Sequence, residues 1–177
     1  MNEPSNPQDR RVGQGMIWLA AIAALALLTV AFQALERPGG GMTAGRDAAG
    51  RAMVVLERDR SGHYLAEGAI NGQPVLFLVD TGATDVAVSE RAARALGLDF
   101  GPRVRVQTAA GPAPAWMTRL DRVSVGGLDL ADVRATITPG LGEQALLGMS
   151  FLRNFTIRQD GEQLIITRPT MNPEADA

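Results

Sequence analysis

An apolar run ends abruptly in a carboxylate, a hydroxyl and a glycine at Leu76-Phe77-Leu78-Val79-Asp80-Thr81-Gly82-Ala83-Thr84. Four consecutive apolar side chains, Leu76 to Val79, read as a strand buried on both faces, because two-sided burial removes the usual alternation. Such a strand delivers Asp80 at its end, a placement suited to acid–base chemistry in low-dielectric surroundings. Gly82 then permits a turn with positive φ, or close approach of backbone to a ligand. The same residues also fit an ordinary strand–turn in which Asp80 caps backbone amides. The tripeptide alone leaves both readings open.

Other residues with chemical potential carry less. Ser150 and His63 suggest a serine hydrolase, but Gly148-Met149-Ser150-Phe151-Leu152 lacks the second glycine of a nucleophile elbow. His63 follows Gly62 and reads as a surface turn residue. It is the sole histidine and the chain has no cysteine, so disulfides, thiol catalysis and the usual zinc sites are excluded, and no metal or cofactor is expected. Asp121, Asp129 and Asp132 flank an expected hairpin and read as solvated-face residues. Trp116 reads as a packing residue of a strand.

The 177 residues accommodate one domain of moderate size with accessory sequence. A net charge of -2 and scattered arginines, with no lysine, leave no footprint for nucleic acid. From Met16 to Leu35 no residue is charged. Twenty helical residues span about 30 Å, the thickness of a bilayer's hydrocarbon core. Trp18 fits an interfacial anchor. A buried core helix would show amphipathic periodicity, which is absent here. A cleaved signal peptide would need a better site than Phe32-Gln33-Ala34. The chain is therefore expected to have a cytoplasmic tail at 1–15, a single transmembrane helix at 16–35 and a flexible linker at 36–52. A folded domain at 53–168 and a disordered tail at 169–177 follow. Flanking arginines do not fix the orientation; a cytoplasmic amino terminus with the domain outside is favoured.

Within the folded part, strand-like segments alternate with glycine turns. Met53–Glu57, Tyr64–Ile70, Val104–Thr108, Trp116–Val125 and Leu128–Ile137 are expected strands. Asn71-Gly72 signals a tight hairpin leading to Pro74-Val75-Leu76. A terminal hairpin pairs Phe155–Arg158 with Leu164–Thr167 around Asp160-Gly161. One helix is expected over Glu90–Leu96, capped by Ser89 and ended by Gly97. Many short strands at this spacing indicate an all-β barrel or sandwich.

Taken in order, Asp80-Thr81-Gly82-Ala83, the passage to Gly97, the small-residue turn Gln107-Thr108-Ala109-Ala110-Gly111 and Leu146-Leu147-Gly148 resemble the retropepsin-like aspartic proteases, especially their membrane-anchored bacterial members. The resemblance covers about residues 53–168. It implies an all-β, retropepsin-like half-barrel with one short helix, preceded by the transmembrane helix. It further implies that Asp80 is catalytic, that Thr81, Gly82 and Ala83 support its loop, and that Thr81 bonds across a two-fold axis. Thr84, Asp85 and the flap residue Gly111 match positions that contact substrate, while Leu146, Leu147 and Gly148 match those packed beneath the site. Two carboxylates are needed and the chain has one such motif, so the second must come from another copy, making a homodimer that acts on a peptide or protein substrate. The departures are a longer helix between loop and flap, and Pro112 and Pro114 in the flap, which restrict its backbone amides. The expectation is a tethered endopeptidase of the bacterial inner membrane, with its domain in the periplasm, cleaving an envelope or membrane-proximal protein. A non-catalytic peptide-binding or dimerisation module is the alternative, against which the intact Asp80-Thr81-Gly82 argues.

Overall fold

The computed structural model describes residues 41–108 and 111–169. Strands β1 (Met42–Arg46), β2 (Ala52–Glu57), β3 (Leu65–Ile70), β4 (Gln73–Val79) and β5 (Val86–Val88) come first, followed by helix α1 (Glu90–Ala95). Then follow β6 (Arg103–Thr108), β7 (Gly111–Val125), β8 (Leu128–Ile137) and β9 (Ala145–Leu147). Helix α2 (Met149–Leu152), β10 (Thr156–Asp160) and β11 (Gln163–Thr167) complete the order. No helix among the described residues is long and apolar enough to cross a membrane. The expected cytoplasmic tail, the span at 16–35 and all but the first residue of the expected tail at 169–177 lie outside the described residues.

Two sheets share the core. One is antiparallel, in the order β1-β2-β11-β10; the other runs β3-β4-β9-β5-β8-β7-β6. In the second, β3 also pairs with β7, so six strands close into a barrel and β6 continues outward as the free arm of the β6–β7 hairpin. Closure depends on Gly68, opposite Val125. A Cβ there would lie 2.3 Å from the Ser124 carbonyl oxygen and 2.9 Å from the Phe77 ring.

Alternation sets the buried faces. Val54 and Leu56 of β2 and Leu164 and Ile166 of β11 point into the core together with Phe77, Ile70 and Leu147. In the β7–β8 hairpin the buried face changes midway: Leu120 opposite Val133 is buried, and so, on the other parity, is Val125 opposite Leu128. The change falls where Asp132 adopts φ 54, a left-handed conformation that interrupts the strand without shifting the register. One half of the hairpin thus serves the barrel, while its turn at Gly126 approaches Val54 and Met42 of the other sheet.

The sequence reading meets the structure at most elements. Asn71 and Gly72 both have positive φ, as a tight hairpin turn requires. The Ser89 hydroxyl accepts from Ala92 N, and Gly97 follows the helix at φ 66. Several expectations are corrected. The linker expected over 36–52 contains β1, an edge strand whose small residues hide its pairing with β2 through backbone bonds. There are two short helices among the described residues, not one. β4 is not buried on both faces: Phe77 is fully buried, whereas Leu76 is 36% exposed. The final turn is Gly161-Glu162, since Asp160 already pairs with Gln163.

Replacing Gly68 by alanine should cost about 1–3 kcal/mol, the usual range for overpacking, because the new methyl meets main-chain oxygen and an aromatic ring that cannot both retreat. Urea titration of the domain reads this directly.

Candidate active site

Asp80 is the first residue beyond β4. Its N–H donates to Leu147 O (3.2 Å), extending the parallel β4–β9 ladder by one bond and holding the carboxylate at the rim of the barrel. The side chain is half-buried, and its Oδ1 accepts from Gly82 N at 2.9 Å. Ala83 N donates back to Asp80 O at 3.2 Å, which closes a tight turn. Gly82 does not have the positive φ that the sequence suggests. Its smallness serves proximity instead, for a Cβ there would stand 3.2 Å from Asp80 Oδ1. Among the described residues no second carboxylate bonds to Asp80, and the Thr81 hydroxyl, on an exposed residue, has no partner.

The turn is fixed from below by α2. Met149 N donates to Ala83 O and Ser150 N to Thr84 O, both at 2.8 Å. Helix-start N–H groups, which would otherwise lack partners, thereby hold the carbonyls of the loop. The approach is so close that a Cβ on Gly148 would lie 2.2 Å from Asp85 O and 2.8 Å from Ala83 O. Leu146 and Leu147 belong to β9, which lies between β4 and β5. Leu147 is fully buried, and Leu146 is half-buried opposite Leu78 and Ala87. Leu146, Leu147 and Gly148 are thus brought beneath the Asp80 turn.

The residues expected to contact substrate are arranged differently from one another. Thr84 is exposed. Asp85 is mostly buried and paired to Arg134 of β8, with Nε to Oδ1 at 2.6 Å. Gly111 (φ 107) begins β7 at the far end of the β6–β7 hairpin, where the Thr108 hydroxyl donates to its carbonyl at 2.7 Å. Pro112 and Pro114 occupy alternate positions of β7 in an unbroken pairing with β6. Their missing N–H groups lie on the side of β7 away from β6, where a proline is tolerated.

Sequence reasoning missed Ser150 as a structural bond-maker. Its buried hydroxyl accepts from Val86 N (2.9 Å) and donates to Arg134 O (2.7 Å), tying loop, helix and β8 together. The signal available was a lone hydroxyl within the apolar stretch Leu146–Leu152. His63 is an exposed turn residue, as expected. Asp129 and Asp132 pair with Arg122 and Arg119, and Asp121 is exposed. Trp116 packs edge-on against Phe100 at 5.4 Å and beneath the Arg103 guanidinium. A cavity of about 370 Å³ between α1 and the loop after β8 does not include Asp80. Among the described residues no cluster of side chains could hold a metal ion.

Gly148→Ala should destabilise the domain by about 1–3 kcal/mol and displace the Asp80 turn, since the obstructing atoms are main-chain carbonyls of that loop. Amide hydrogen exchange should show faster exchange at Met149 and Ser150 than in the parent.

Comparison with known proteins agrees with this geometry. A family model described as gag-polyprotein putative aspartyl protease matches residues 66–154, from within β3 to just beyond α2. A Sinorhizobium protein described only as lying in the cobV 5′ region is 33% identical over 166 residues, covering 84% of this chain and 71% of its own. A Rickettsia prowazekii protein, RP867, is 30% identical over 117 residues, 64% of this chain; the match spans half of that relative's length. Among solved structures, a retropepsin-like aspartic protease from Rickettsia conorii superposes with a TM-score of 0.54 at 26% identity, over 73% of this chain and 94% of its own. The fold is retropepsin-like and all-β, with a closed barrel, and the chain belongs to the gag-type aspartyl protease family.

Proposed function

We propose that this protein is a membrane-tethered aspartic endopeptidase whose active site is completed by a second copy, each copy supplying one Asp80. The observation that carries the reading is the Asp80 turn itself. One strand-end carboxylate is held by Gly82 N and anchored through Leu147, with no second carboxylate bonded to it among the described residues. Two carboxylates about 3 Å apart cannot both ionise, so a pair shares one proton and can act as base and acid together. In this mechanism the ionised Asp80 takes a proton from water as its oxygen attacks the peptide carbonyl carbon. The protonated Asp80 of the other copy gives its proton to the carbonyl oxygen. Collapse of the tetrahedral species breaks the C–N bond as the first Asp80 gives the proton it took from water to the leaving nitrogen. The other Asp80 takes back a proton from a hydroxyl of the tetrahedral carbon, which leaves a carboxylic acid and restores the pair.

The surrounding residues have matching roles. Thr81, exposed and without a partner among the described residues of one copy, is available to bond across the two-fold axis. Thr84 and Asp85 flank the path of the substrate backbone, and the β6–β7 hairpin with Gly111 closes over it and excludes water. The uncharged stretch from Met16 to Leu35 anchors the chain in the inner membrane, with the domain in the periplasm and substrates in the envelope or near the membrane. With β1 taking up Met42–Arg46, the connection between anchor and sheet is residues 36–41, shorter than the sequence suggested.

Asp80→Asn should abolish cleavage of a peptide library while leaving thermal stability and self-association unchanged, because the amide keeps the shape but cannot serve as base. Turnover retained by the purified variant would remove Asp80 from the mechanism.

Half a site per copy also ties activity to the dimer population. A soluble fragment beginning at Gly41, just before β1, should lose specific activity on dilution in step with its dissociation, measured by sedimentation of the same samples. Constant specific activity where the fragment is monomeric would overturn the two-copy mechanism.

A further inference from the structure

A cleft of about 290 Å³ lies behind the Asp80 turn, lined in part by Arg119, Arg134, Arg153, Asp132 and Ser150. Arg119 and Arg134 stand directly opposite each other on β7 and β8. Like charges so placed are destabilising unless carboxylates offset them. Asp132 pairs with Arg119, and Asp85 pairs with Arg134. Arg153, just past α2, is exposed and has no ion-pair partner among the described residues. Three guanidinium groups therefore meet two carboxylates, and the cleft keeps a positive charge in excess. Asp132 holds its place at the rim in a left-handed conformation that non-glycine residues rarely adopt.

The wall of this cleft is also the support of the candidate catalytic loop. Arg134 spends its Nε on Asp85 but retains further N–H donors on a side chain 43% exposed. Ser150 joins the Arg134 carbonyl to Val86 N. A ligand seated here would therefore touch groups bonded directly to residues 85 and 86.

We propose that this cleft is a subsite for a carboxylate side chain, glutamate or aspartate, of the peptide on which the protein acts. A guanidinium fork matches a carboxylate in geometry as well as charge, and Arg153 has its fork unengaged. The identity of the peptide as substrate rests on the endopeptidase reading; the binding itself does not.

The test uses the full chain carrying Asp80→Asn, with a fluorescent peptide containing two glutamates and its diglutamine counterpart, followed by anisotropy. The glutamate peptide should bind about tenfold or more tightly, the worth of one charge-assisted hydrogen bond, and the preference should shrink as salt is raised. Arg153→Ala combined with Arg119→Ala should erase it, Arg153→Lys should keep part of it, and Arg60→Ala, in an exposed turn elsewhere, should leave it intact. Equal affinity for the two peptides would overturn the proposal. So would an equal loss with Arg60→Ala, which would mean general charge attraction. Tighter binding after removal of residues 170–177, which carry Glu174 and Asp176, would assign the cleft to the chain's own tail and overturn it too. Because the protein used is inactive by design, failure of the peptidase reading leaves this result standing.

Discussion

Two backbone hydrogen bonds, from Met149 N to Ala83 O and from Ser150 N to Thr84 O, hold the turn that carries Asp80. The loop between β4 and β5 has few apolar side chains of its own, and Thr81, Gly82 and Thr84 are exposed. Packing cannot fix such a segment; backbone satisfaction can. The start of α2 supplies donors that would otherwise be orphaned, and the loop supplies carbonyls that would otherwise face a buried helix end. Neither arrangement survives a side chain at 148, because the separation is already shorter than a Cβ contact allows. The glycine of Leu146-Leu147-Gly148 is thus a requirement of main-chain proximity.

That clamp places a topological demand on the chain. β9 lies between β4 and β5, parallel to the first and antiparallel to the second, although these strands come from residues 73–79, 86–88 and 145–147. Bringing β9 between β4 and β5 therefore requires closing the chain that carries the β6–β7 and β7–β8 hairpins into one long loop. Closing so long a loop costs entropy before any contact offsets it. The long pairing of β7 with β8 and the closure of β3 on β7 at Gly68 are the contacts that do so. A lesion at Gly68, on the strand paired with β4, would loosen the barrel that carries the Asp80 turn, whereas one at Gly148 would act on the turn directly.

Much of this was legible in the sequence where side chains state their own role. Asn71-Gly72, the Ser89 cap, Gly97 and the alternation of β2 and β11 each express a local preference that the fold honours. What escaped notice is held together by main chain or by distant partners. β1 has no apolar stripe and exists through its pairing with β2. β5 and β9 have three residues each, too short for a period to register. β7 begins at Gly111 despite two prolines, because they fall where the ladder needs no donor. The Arg134–Asp85 pair joins residues 49 apart, so no spacing rule could announce it. In the site, Asp80 and Gly148 were readable as a motif, while Ser150 was weighed only as a nucleophile, because its partners Val86 N and Arg134 O are distant main-chain groups.

In the two-copy reading proposed above, the terminal sheet would limit how the copies could meet. β11 lies inside it, with β2 on one side and β10 on the other, so both rows of its main-chain groups are already used within one chain. A sheet shared between copies could not be built on β11; among the described residues, β1 and β10 are the edges of this sheet. β10 carries Arg158 and Asp160, mostly exposed, and charged side chains on an edge oppose strand addition. β1 is short and largely exposed, with little apolar surface to bury. Neither edge supplies the hydrophobic area that a stable interface requires. The surface better suited to such a pairing would be the one next to Asp80, where Leu76 is, among the described residues, the exposed large apolar side chain and Leu78 and Leu146 are half-buried on neighbouring strands. An interface drawn from that surface would keep the two Asp80 turns at its centre, with the terminal sheets serving each copy separately.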